Sequence, residues 1–163
     1  MFGFVLNVRK LLRKCDSKTP LFGFQGQKKL GKVVSVYYGD SVTIAMVVHG
    51  DPVLFKCRIE GVDTPEMKPP LADPNRQVQM ALARKARNRV AQLVTDCAVD
   101  LNAHKLDLTG NTKLVNVVCG GFDKYGRLLV TIPSPGGGTQ SVAHVLIEEK
   151  LGRVYSGGTK QAW

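Results

Sequence analysis

The chain has 163 residues, with 23 Lys and Arg against 13 Asp and Glu, for a formal charge of +10. That length suits one domain with one ordinary core, and that charge directs attention to anionic partners: nucleic acid, an acidic protein or an anionic membrane surface. Cys15, Cys57, Cys97 and Cys119 are too widely spaced for a zinc knuckle, a redox CxxC pair or a dense disulfide framework.

Residues 1–30 read as a basic N-terminal extension. Up to residue 32 there are eight Lys or Arg and one acid, Asp16, with Thr19-Pro20 and Gly23, Gly26 and Gly31 interrupting the run. Val5, Val8 and Leu12 can share one face of a short helix, with Arg9, Arg13 and Lys14 on another. That face is expected to dock on the domain's own core, with a protein partner or a membrane surface as alternatives. The apolar start is too short for a membrane span, and its charges follow the apolar residues instead of preceding them as in a secretory signal. The compartment stays open, with an intracellular or nucleoprotein-associated setting preferred.

Regular structure is expected from Gly31. Val33 to Tyr37, Val42 to Val48 and Val53 to Ile59 are three strand candidates, separated by Gly39-Asp40 and by His49-Gly50-Asp51-Pro52. After a proline-marked loop, Asp73-Pro74 reads as an N-cap and first helical position. Val78, Leu82, Val90, Leu93 and Val94 form the apolar stripe of the following helix, and Arg84, Lys85, Arg87 and Arg89 its basic surface. Leu114 to Cys119 and Leu128 to Ile132 give two further strands, with Gly120-Gly121 breaking the first. Pro133 to Gly138 turns the chain, and Ser141 caps a last helix carrying Val142, Val145 and Leu146. The expectation is mainly β with α: a five-stranded antiparallel barrel of the oligonucleotide-binding type with packed helices, spanning 31–163. Cys57 and Cys119 fall in its strands as small buried thiols.

The chemistry concentrates in Asp40, in Arg58 followed by Val62-Asp63-Thr64-Pro65-Glu66, and in Asp123-Lys124-Tyr125-Gly126-Arg127. A hard divalent cation takes carboxylate and carbonyl oxygens, so Asp40, Asp63 and the Thr64 carbonyl are its candidate ligands. Capping or solvation explains either acid taken alone. Glu66 can deprotonate an attacking water, or form a structural ion pair. Arg58 and Arg127 offer planar donor forks to phosphate oxygens, which lysine does not. Tyr125 can orient a phosphate or stack on a base, and Lys124 adds positive field; a tight turn accounts for 123–126 almost as well. His49, His104 and His144 have no metal-ligand spacing.

Gly39-Asp40-Ser41, the stretch from Arg58 to Glu66, Asp123 to Arg127, and Ser141 to Leu146 together resemble the staphylococcal nuclease-like, or thermonuclease, family, over about Gly31 to Tyr155. The resemblance implies a calcium-dependent phosphodiesterase acting on single-stranded DNA, RNA or both, with endonucleolytic cleavage leaving 3′-phosphates. It assigns calcium to Asp40, Asp63 and the Thr64 carbonyl, water attack to Glu66, and phosphate to Arg58 and Arg127. Tyr125 goes to substrate, beside the positive field of Lys124, and Tyr155 stands beside the position of a nucleotide-contacting tyrosine. The chain departs from the family's pattern at Tyr38, where an acidic residue is usual, and in a C-terminal part shorter than usual. These departures keep a second expectation in play: a catalytically weak or inactive module for nucleic-acid binding or nucleoprotein assembly.

Overall fold

The computed structural model describes residues 2–135, 139–159 and 163, with residues 2–6 as backbone alone. Three antiparallel strands come first: β1 (Lys28–Tyr38), β2 (Ser41–Val48) and β3 (Asp51–Ile59). The short β4 (Gly61–Asp63) follows, then the helix α2 (Arg76–Val94), β5 (Leu106–Asp107), β6 (Val115–Phe122) and β7 (Leu128–Thr131). The helix α3 (Val142–Glu148) and β8 (Arg153–Tyr155) complete the domain, and α1 (Phe2–Leu12) lies ahead of it.

The barrel closes through β1, β2, β3, β7 and β6 and back to β1, with β5 as an added edge on β1. Five strands and the oligonucleotide-binding type of barrel match the expectation; uniform antiparallel pairing does not. β3 and β7 run parallel, with Cys57, Arg58 and Ile59 opposite Leu128, Leu129 and Val130. The chain crosses over through α2 and returns along the β6–β7 hairpin, so the closing strand arrives in the direction of β3.

Alternation along the strands fills the interior with Val33, Val36, Ile44, Met46, Cys57, Ile59, Val117, Cys119, Leu128 and Val130. Phe24, ahead of β1, joins this core, meeting Phe55 edge to face at 5.4 Å, Phe22 at 5.0 Å and Phe122 at 6.2 Å. Gly120 and Gly121 stay within β6, where a register shift between Cys119 and Phe122 takes up the irregularity expected to end the strand.

Helix α2 begins two residues later than expected. Asp73 caps the turn before it, accepting from Asn75 N at 2.8 Å and from Gln79 Nε2 at 2.7 Å. Its buried side is Ala83, Ala86, Val90, Ala91, Leu93 and Val94, whereas Val78 is exposed. Small alanines let this helix lie close to the barrel. Arg87, expected on the basic surface, is 1 % exposed. Its guanidinium donates to the carbonyls of Leu101 (2.7 Å), Ala103 (2.7 Å) and His104 (3.0 Å), pinning the loop that leads into β5.

Ser141 caps α3 as expected, and His144 supplies the reciprocal half of the capping box through Nδ1. In α1, Val8, Leu11 and Leu12 are exposed, so these residues do not dock on the core. Among the described residues no helix is long and apolar enough to cross a membrane. The three glycines of 136–138 lie outside the described residues.

Candidate functional site

The β1–β2 turn brings Asp40 inward. Gly39 makes this possible: a Cβ there would stand 2.8 Å from Ala86 Cβ and 2.9 Å from Thr64 Cγ2, so any side chain would push the turn off α2. Asp40 and Asp63 are both buried and both reach Arg58. Arg58 Nη1 donates to Asp40 Oδ2 at 2.5 Å, and Nη2 donates to Asp63 Oδ1 and to the Val62 carbonyl, each at 3.3 Å. Burial works against the Arg58 charge, but Asp40 and then Asp63 outweigh it and hold the guanidinium above its ordinary pKa.

A second chain of bonds meets the first from the far side of the barrel seam. Asp123 accepts from the backbone N–H groups of Tyr125 and Arg127, both at 2.9 Å, and from Arg127 Nε at 2.7 Å. Burial alone would raise the Asp123 pKa, but these bonds to Arg127 and Tyr125 overcome it and hold the carboxyl below its ordinary range. Gly126, at φ 77°, closes this turn in a conformation that favours glycine. The latched Arg127 donates from Nη1 to Ser41 Oγ at 3.5 Å, and Ser41 Oγ donates to Asp40 Oδ1 at 2.9 Å. Asp123, Arg127, Ser41, Asp40, Arg58 and Asp63 therefore form one continuous network across four chain segments.

Asp40, Ser41, Arg58 and Arg127 of this network face a cleft of about 750 Å³ that Thr64, Glu66, Lys124, Tyr125 and Tyr155 also line. Eight of the nine residues singled out from sequence thus share one wall. Asp63 lines a smaller recess on the other side of Tyr155, and reaches the cleft through Arg58. Pairing of β4 with β8 sets Asp63 opposite Arg153 and Gly61 opposite Tyr155. The Tyr155 ring lies 5.1 Å from the Arg58 guanidinium, and its hydroxyl donates to the Gly158 carbonyl at 2.8 Å. Tyr125 is exposed, with Arg127 at 5.6 Å and Lys124 at 5.1 Å from its ring.

Sequence reasoning did not place Tyr38, Gly158 or Thr159 in the cleft, although all three line it. Tyr38 was legible only as a departure from an acidic position. Its phenol is held above its ordinary pKa by burial, by Tyr37 and by the Glu66 carboxylate, so a neutral hydroxyl borders the acids. Asp123, expected as part of a turn, is the anchor of Arg127. Its offset of four residues from that arginine and the intervening glycine were the available signals.

The donor set suits a hard divalent cation in its chemistry. Asp40 and Asp63 already converge on a single cationic group, and Thr64 Oγ1 beside them is buried without a hydrogen-bond partner among the described residues. A cation held by both carboxylates and the Thr64 carbonyl would share their oxygens with Arg58. Among the described residues no three His, Cys, Asp or Glu side chains cluster to hold a metal, so the Thr64 carbonyl would have to complete a set begun by Asp40 and Asp63. No family model matches the chain, and no curated protein matches it in sequence.

Proposed function

We propose that the chain is a staphylococcal nuclease-like phosphodiesterase that cleaves single-stranded DNA, RNA or both with calcium, endonucleolytically and leaving 3′-phosphates. One observation carries the reading: Arg58, Glu66 and Arg127, from three separate segments, line one cleft together with the buried Asp40. Barrel packing has no need of two arginines and an exposed glutamate around one polar hollow. Calcium, when bound, would neutralise developing phosphate charge. The protein's own part is positional. Arg127, held by Asp123, presents its fork to a nonbridging phosphate oxygen. Arg58 spends three of its five N–H groups on Asp40, Asp63 and the Val62 carbonyl, and the others remain for phosphate. Glu66 takes a proton from the attacking water, and Tyr125 and Lys124 bind the neighbouring phosphate.

The test is cleavage of end-labelled single-stranded DNA and RNA across a calcium titration, with EDTA and Glu66→Gln as controls. Calcium-dependent cleavage that both controls abolish is the expected result. Equal turnover by Glu66→Gln would remove that residue from the chemistry. A second reading, a catalytically weak or inactive binding module, is favoured by Tyr38 and by the grip of Arg58 on both aspartates. Nucleic-acid binding by a folded protein without cleavage at any calcium concentration would select it.

A further inference from the structure

A second groove, of about 380 Å³, adjoins the cleft and shares Tyr38, Ser41 and Arg127 with it. Its far walls carry Tyr37, Lys56 and Lys105. Lys56, opposite Thr43 in the β2–β3 pair, and Lys105, just ahead of β5, are exposed cations on either side of the half-buried Tyr37. The Tyr37 ring meets Tyr38 edge to face at 4.5 Å and His104 at 5.3 Å, which fixes its orientation between the two hollows. The loop bearing His104 and Lys105 is itself pinned by buried Arg87.

We infer that this groove is a subsite for the nucleotides flanking the scissile phosphate, with Tyr37 stacking a base and Lys56 and Lys105 taking phosphates. The inference rests on the nucleic-acid reading of the cleft and adds a path and a length to it. The polynucleotide leaves the cleft past Tyr38 and Arg127 and continues over the β1–β2 wall. Single strands are the class that fits, because stacking on an aromatic side chain requires an unpaired, accessible base. An acidic peptide would satisfy the lysines but leave the tyrosine unused.

The experiment measures binding of labelled oligothymidylates of two and of eight nucleotides in EDTA, where cleavage does not contribute, for wild type and a Lys56→Ala/Lys105→Ala variant. Both lysines are exposed, and equal melting temperatures verify that the fold is kept. The octanucleotide should bind the variant roughly tenfold more weakly. Its slope of log K against log salt should fall by about 1.4, from about 0.7 for each of two phosphates. The dinucleotide should be unaffected. Tyr37→Ala should also weaken the octanucleotide roughly tenfold, the loss of about one stacked base. Equal losses for both lengths would reduce the lysines to a general field and overturn the subsite, as would an octanucleotide that loses less than twofold or does not bind wild type. Lysine-dependent octanucleotide binding by a protein that never cleaves keeps the groove and rejects the nuclease. Cleavage without that dependence does the reverse.

Discussion

Replacing Arg58 by methionine is the sharpest perturbation of the candidate site, because it removes the charge between two buried acids while keeping much of the side-chain volume. Asp40 and Asp63 have side chains only 6 % and 7 % exposed, and each loses its ion pair with Arg58. Breaking one partner out of a buried ionic group costs about 3–5 kcal/mol, since the remaining charge stays desolvated. Urea denaturation at pH 7 should show a loss in that range. Calcium at ten times its dissociation constant should return about 1.4 kcal/mol to the variant. A deficit under about 1 kcal/mol would refute the view that Arg58 is the counterion of both aspartates.

Arg87→Ala should destabilise the fold by about 4.5 kcal/mol in the same denaturation assay, from three charge-assisted bonds to carbonyls at about 1.5 kcal/mol each; Arg87→Lys should recover only part, because one ammonium cannot span three carbonyls. Asp123→Asn should lower turnover several-fold by freeing Arg127 and should lower the melting temperature at pH 7, measured by cleavage and calorimetry. Because folding depresses the Asp123 carboxyl pKa, its stabilisation is present above the unfolded value and is lost as pH falls through the folded one, a loss that Asp123→Asn should not show. Burial and then the neighbouring Cys119 push the Cys57 thiol up to about 12, so alkylation at pH 8 should label exposed Cys15 first and reach Cys57 and Cys119 only after unfolding. Rapid native labelling of Cys57 would contradict its place inside the barrel.

The barrel was legible because its strands alternate and its turns carry Gly39-Asp40 and the 49–52 reversal, both local signals. The residues of the cleft were legible because guanidinium forks and hard oxygen donors have few interchangeable substitutes. What local sequence did not carry was pairing between distant segments. Nothing within β3 or β7 records that they run parallel, and nothing in Arg153-Val154-Tyr155 records its pairing with Gly61-Val62-Asp63. Arg87 illustrates the same limit: Arg84, Lys85, Arg87 and Arg89 look alike until the carbonyls of Leu101, Ala103 and His104 are seen to close over one of them. Val78 fails in the opposite direction, an apolar residue at helical spacing with no surface to meet.

The β3–β7 seam joins the two halves of the network. Ser41 stands opposite Arg58 on the β2 side of β3, and Leu129 stands opposite Arg58 on the β7 side. Arg127, two residues ahead of Leu129, is thereby set beside β3 within reach of Ser41, and Asp123 latches its Nε while Nη1 donates to Ser41 Oγ. Asp40 is held separately, by Arg58, by Ser41 and, through its carbonyl, by the Ile59 N–H. Damage to the turn that carries Asp123 should therefore disable Arg127 before it disturbs Asp40 and Arg58.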